Sequence, residues 1–365
     1  MAVAALPRVY ALSMKQLYAQ VIADVRDGKA GTIHPELYRA YSDNLHGAVS
    51  GVLSPSTYGD RYLDMQLQFE ANVARFAAYK AFNVTQQLER QLADREGVER
   101  SPEEFDRMAR AVLNTFNRYQ AAEYNTAVAR ARTAKQWADF SQGDNMFLFP
   151  NIRWLPSRSA NPREQHMPFY NRVWAKNDPF WNSNQPGNLW NCKCDWEETD
   201  DPVTGDNPEG LKPARGLEGN PAETGQIFTD QCTYVQKAGK GAEHDALKTI
   251  WKDNFNWALE NIRGKYFKNP GIDEEIYISR RGIKEFLNQN HDDYLVKNEM
   301  IRHIEVVLGR AEYMGETYYG GRISKIFKTQ LKGKDNYIIA NYNDEGELNL
   351  HSISESPKVL TGIKK

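Results

Sequence analysis

The sequence predicts a multidomain protein: a long helical hairpin with a loop-rich domain, followed by a small α+β domain whose helices pack on an antiparallel meander. Three observations carry that expectation. Residues 62–95 contain neither Gly nor Pro and place Tyr62, Met65, Phe69, Val73, Phe76, Val84, Leu88 and Leu92 at helical spacing. Residues 200–226 hold four Pro and five Gly in a polar background, a composition that reads as a linker or extended arm. Beyond it, "EEIYIS", "RRGIKEFLNQNH" and "LVKNEMIRHIEVVLGR" read as a strand and two helices, and "ISKIFKTQLKGKDNYIIANYNDEGELNLHSISES" as three alternating strands turning at "KGKDN" and "NDEG".

The 365 residues, 41% hydrophobic and 26% charged, suit two or three globular domains. The segments divide into an N-terminal helical stretch (1–58), the hairpin and loop-rich domain (59–199), the linker (200–243), a bracing helix (244–268) and the α+β domain (269–365). The second arm of the hairpin has Ser101 as N-cap, Pro102 at the first helical position and Glu104 to complete a capping box, and it runs to Phe140. "MFLFPNIRWLP" reads as extended, and "HDALKTIWKDNFNWALENIRG" as an amphipathic helix stopped by Gly264. In the α+β domain, Ile326, Ile338, Ala340, Leu348 and Leu350, or their alternates, form the face turned to the helices.

A net charge of -2 excludes a polyanion binder that acts with its whole surface. No apolar run reaches the roughly 20 residues that span a bilayer, and "MAVAALPRVYAL" breaks with Pro7 and Arg8 where a signal peptide stays apolar, so a cytoplasmic origin and no membrane partner are expected. Three Cys do not make a disulfide framework. No Gly-rich phosphate loop is visible, and no cofactor is expected.

"DPFWNSNQPGNLWNCKCDW" at 178–196 packs three Trp and two Cys together. Cys192, Cys194 and His166 are candidate metal ligands, with Cys232 as a fourth only if the linker folds back. The CxC spacing, however, turns alternate side chains apart when extended, whereas structural zinc usually takes C-x2-4-C pairs. No metal is therefore favoured, and Trp174, Phe180, Trp181, Trp190 and Trp196 read as the core of a domain poor in regular elements.

These residues also carry a resemblance. "NTAVARARTAKQW" (125–137), His166, "NDPFW" (177–181), Pro186 and "NLWNCKC" (188–194) together resemble the Mu F-like phage minor head protein family, although the D-x-R-x-x-H of that family stands here as "NPREQH". The resemblance implies a phage or prophage head-morphogenesis protein, made in the bacterial cytoplasm and carried in the virion at the portal vertex or capsid interior. Its expected partners are the portal protein and other capsid proteins.

The order of elements after residue 270 resembles the phage barnase, EndoU, colicin E5/D and RelE-like nuclease group. That resemblance implies metal-independent RNA cleavage with a base, an acid and a phosphate-stabilising cation, RNA as partner, and an immunity protein as a possible second one. The candidate groups are His291, His303 and His351, with Lys328, Arg302 and Arg310 as cations and Tyr337 beside Lys328. Two observations weigh against it: from residue 270 onward 14 Lys and Arg face 15 Asp and Glu, and the only acid-free cationic run, "RISKIFKTQLKGK", also suits a strand edge protected by Lys. The rival expectation is a purely structural virion protein whose last domain is a non-catalytic binding module.

Overall fold

A computed structural model describes residues 8–54, 61–143, 145–204, 212–239, 241–319 and 321–364. They form two compact units, the first from residues 1–53 and 72–249 and the second from 54–71 and 250–365. Of the expected N-terminal stretch and linker, residues 1–7, 55–58, 205–211 and 240 lie outside the described residues.

The first unit begins with helices α1 (Arg8–Arg26) and α2 (Pro35–Leu53), and continues through α3 (Leu63–Glu89, from Asn72 onward) and α4 (Pro102–Phe140). The start of α4 follows the expected chemistry, since Ser101 Oγ accepts from the Glu104 amide at 3.2 Å and Pro102 needs no hydrogen-bond partner there. Along α4 the most extensive helical packing is with α2. The two arms of the expected hairpin are wedged by Tyr234, whose ring centroid stands 5.3 Å from Phe76 on α3 and 5.9 Å from Phe116 on α4.

Tyr234 belongs to α5 (Thr233–Ala238), inside the segment whose composition reads as linker. Residues 212–239 are in fact packed: Leu217, Ile227, Phe228 and Cys232 are buried. The Asn72 side-chain amide clamps the Phe228 backbone, donating to its carbonyl and accepting from its amide at 2.8 Å each. A few apolar residues at irregular spacing suffice because their partners are preformed helices.

The aromatic knot follows α4. A three-stranded antiparallel sheet, β1 (Asn151–Leu155), β2 (Val173–Ala175) and β3 (Asp195–Thr199) in the order β2-β1-β3, supports Phe140, Ile152, Trp154, Phe169, Trp174, Phe180, Trp181 and Trp196 in one core. Trp190 departs from the expected set and stacks on Phe228 at 5.5 Å.

The second unit takes the first turns of α3 and most of α6 (Ala242–Asn261), then β4 (Tyr266–Phe267), β5 (Ile276–Tyr277), α7 (Arg280–Asn288), α8 (Tyr294–Glu299) and α9 (Ile304–Arg310). Strands β6 (Glu312–Tyr319), β7 (Arg322–Leu331), β8 (Lys334–Tyr342) and β9 (Leu348–Ser354) complete it. The sheet has six strands in the order β4-β5-β9-β8-β7-β6 rather than three, and it is mixed, because β5 pairs parallel with β9. Ile338, Ala340, Leu348 and Leu350 face the helices as expected. Ile326 does not: it shares the other face with Tyr337 and Ile339, under Val359 of the C-terminal segment. Phe327, the alternate, takes the helical side.

Candidate functional site

Two sets of candidates can be followed into the structure. In the second unit, the His291 ring is buried and both nitrogens are engaged: Nδ1 accepts from the Asp293 amide at 2.9 Å, which leaves Nε2–H to donate to Asn336 Oδ1 at 2.7 Å. His303 Nε2 lies 2.6 Å from the Glu70 carboxylate of α3. Arg302 donates from Nε to Asn254 Oδ1 and from Nη2 to Asp253 Oδ2, each at 2.6 Å, with Glu299 at 3.6 Å and the Trp257 ring beneath it. Lys328 pairs with Asp335 at 2.9 Å, and the hydrogen bond holds the ammonium pKa above its ordinary value.

His351 sits at a bulge of β9, since Ala340 pairs with Leu350 and Ile339 with Ser352. Burial pushes its imidazolium pKa down; Glu285 opposes this, whereas Arg281 and Arg322 add to it. Glu285 and Arg281 belong to α7, which packs on β9. Lys328 and Tyr337 are cross-strand partners, and Tyr337 belongs to the core on the other face of the sheet. The structure thus unites Lys328 with Tyr337, while His291, His303 and Arg302 are held by partners of their own. At the bulge His351 falls between the paired residues Leu350 and Ser352, outside the register that joins Lys328 to Tyr337.

Sequence reasoning missed the main ionic cluster of this unit. Lys325, in the cationic run that also suited a strand edge, is buried 2.7 Å from Glu274 and 3.5 Å from Glu316, and Tyr342 donates to Glu274 at 2.7 Å. These contacts hold the Glu274 pKa down to about 2, the Lys325 hydrogen bond first among them.

In the first unit, the motif residues act on one another. Asp178 caps a short helix by accepting from the Phe180 amide at 2.8 Å, with Pro179 at its first position, so "DPFW" is a cap that fixes the Trp181 ring in the core. On α4, Thr126 Oγ1 accepts from the Asn191 amide at 2.8 Å and Thr133 Oγ1 donates to the Pro186 carbonyl at 2.9 Å. Arg130 is fully buried and donates to the carbonyls of Leu217 at 2.8 Å and Gly219 at 3.2 Å, and burial lowers its pKa to about 10. Gly187, at φ +97°, lets the chain pass against α4, where a Cβ would lie 3.1 Å from Arg130 Cγ.

Within this frame His166, Cys192 and Cys194 do come together, their ligand atoms all within 4.8 Å of one another. The segment before Cys192 is a turn and not a strand, with the Cys192 amide donating to the Leu189 carbonyl at 3.1 Å and Asn191 at φ +59°. Both sulfurs converge on one ring nitrogen, so the CxC spacing does not turn them apart here. His166 Nδ1 lies 3.3 Å from Cys192 Sγ and 3.4 Å from Cys194 Sγ. Hydrogen bonds with Cys194 and His166 hold the Cys192 pKa well below its ordinary value, and the hydrogen bond with Cys192, with burial, pushes the Cys194 thiol up. Cys232 is remote from this trio: its sulfur faces the Gly216 carbonyl at 3.6 Å.

Residues 245–342, from α6 to β8, match large polyvalent protein-associated domain 3, a domain of the phage- and polyvalent-protein-associated kind. No curated protein and no solved structure matches the chain. No described helix is long and apolar enough to cross a membrane.

Proposed function

We propose that this chain is a phage or prophage minor head protein, carried at the portal region and capsid interior, and that its second unit is a non-catalytic binding module. One observation carries the assembly role. Between α4 and β1, Met146, Phe147, Leu148 and Phe149 are 47, 87, 56 and 40% exposed, four consecutive large apolar side chains turned to solvent at one tip. Such a run is costly in a free protein and suits insertion into a larger assembly, here the portal protein or another capsid protein. The domain matched at 245–342 supports the phage setting. The non-catalytic reading rests on His291, His303 and Arg302, each bound into the second unit by neighbours that fix its position.

The test is incorporation. Particles induced from a host encoding the chain contain it, and the variant with Phe147→Ser and Leu148→Ser folds but is missing from them. Full incorporation of that variant defeats the proposal.

A second reading, RNA cleavage, is favoured by one observation: the helices are followed by four strands, β6 to β9, that pair antiparallel in sequence order. Incubation of the purified chain with RNA in chelator separates the two. Intact RNA is expected; cyclic-phosphate products that disappear in His351→Ala would establish the enzyme instead.

A further inference from the structure

We infer that His166, Cys192 and Cys194 bind one thiophilic divalent cation, zinc by the chemistry of the donors. This inference rests on the first unit alone and is independent of the function proposed above.

The argument starts from the imidazole tautomer. Asn188 is fully buried, and its Nδ2 is committed to the Ser183 carbonyl at 3.0 Å, so its Oδ1 is the atom that faces His166. His166 Nε2 therefore donates to Asn188 Oδ1, at 3.0 Å, and the proton is fixed on that nitrogen. Nδ1 is left with one lone pair, in a ring with no solvent exposure, directed at two sulfurs 3.3 and 3.4 Å away. One lone pair accepts one S–H well, not two. A cation between the three atoms satisfies all of them.

The distances fit such a cation. Zinc bonds of about 2.3 Å to sulfur and about 2.0 Å to nitrogen in tetrahedral array separate nitrogen from sulfur by roughly 3.5 Å. The observed separations of 3.3 and 3.4 Å lie within about 0.2 Å of that value. Thiolate and imidazole together select zinc over the hard cations, which prefer oxygen.

The surroundings are those of a ligand shell. The Cys194 amide donates to Cys192 Sγ at 3.4 Å, which stabilises a thiolate at that position. A further oxygen donor, the Tyr170 hydroxyl, is buried beside Cys194. A disulfide is no alternative use of the sulfurs: Cys192 and Cys194 are free thiols, and a bond across one intervening residue is strained. The cation would tie the short helix carrying His166 (Glu164–Phe169) to the turn that begins β3, closing the knot at a place where no regular element spans it.

The full chain, purified without chelator, is expected to carry one zinc per molecule. Replacement by cobalt is expected to give the sulfur-to-cobalt charge-transfer band and the visible spectrum of a tetrahedral centre. Cys192→Ser, Cys194→Ser and His166→Asn each lose the metal, whereas Cys232→Ser keeps it; near-ultraviolet circular dichroism of the Trp cluster reports whether each variant is folded. The cobalt measurement needs only the wild-type chain and so decides the matter even where a variant unfolds. Wild-type protein that holds neither zinc nor cobalt when supplied with an equimolar amount overturns the inference, as does a charge-transfer band that survives in the Cys192→Ser, Cys194→Ser double variant.

Discussion

Lys80 and Glu123 offer the sharpest test of how the first unit is held together. Lys80 on α3 meets Glu123 on α4 at 2.5 Å, with the two side chains only 1% and 7% exposed. The ammonium stands 4.5 Å from the Tyr41 ring centroid, and the Tyr234 hydroxyl donates to the other Glu123 oxygen at 3.0 Å. Burial pushes the Lys80 pKa down further than Glu123 pulls it back up, the signature of a desolvated pair whose cost exceeds its attraction. Lys80→Met removes the cation and leaves a buried carboxylate with one hydroxyl partner, and the expected loss is about 3–5 kcal/mol. Adding Glu123→Leu removes the stranded charge, so the double variant should recover to within about 1 kcal/mol of wild type, apart from the hydroxyl left on Tyr234. Urea unfolding followed by Trp emission is the assay, because six of the eight Trp (137, 154, 174, 181, 190 and 196) lie in the first unit. A Lys80→Met protein within about 0.5 kcal/mol of wild type, as for an ordinary surface change, would refute the reasoning.

Two further outcomes concern the second unit. Lys297 is fully buried and donates to the Phe286 and Leu287 carbonyls at 2.8 and 3.0 Å, and burial lowers its pKa to about 7. Between that value and the ordinary value near 10.5 the unfolded chain binds the extra proton, so stability from this residue rises with pH over that window. Unfolding curves at neutral and alkaline pH should show that rise in wild type and a smaller one in Lys297→Met; equal slopes would show that the amine is not desolvated. Gly282 on α7 carries no Cβ because one would overlap the Leu350 carbonyl of β9, and Gly282→Ala should destabilise the second unit by about 1–3 kcal/mol, read as a lower midpoint of its own thermal transition.

The legible parts of the fold were those whose cause is local. The N-cap at Ser101 and the unbroken apolar spacing of α3 are written within a few residues of where they act, and α4 ends at Phe140 as its pattern implies. The packing of residues 212–239 was not legible, because Leu217 and Phe228 acquire partners only when Arg130 and Asn72, far away in sequence, present theirs. Strand β6 was missed for a similar reason. "EYMGETYY" has weak alternation of its own, and its pairing comes from β7 and from the bridge between Glu316 and Lys364. The contribution of residues 54–71 to the second unit, including the Glu70 that meets His303, leaves no trace in composition.

The histidines show what decides a site. His291 and His166 each use Nε2 to donate to an Asn oxygen, and nothing in the residues beside either one foretells the difference between them. The difference lies at Nδ1. In His291 it accepts a backbone amide two residues on, which closes the ring's hydrogen-bonding capacity and makes the residue part of a loop. In His166 it faces two sulfurs brought there by the turn at Asn191, which leaves a basic lone pair in a buried pocket with soft donors on both sides. A motif can report that His and Cys are present at a given spacing, but the free lone pair is a property of the last hydrogen bond each ring makes. On that ground His166, facing two sulfurs, differs from His291 and His303 of the second unit, whose ring nitrogens are already hydrogen-bonded or ion-paired.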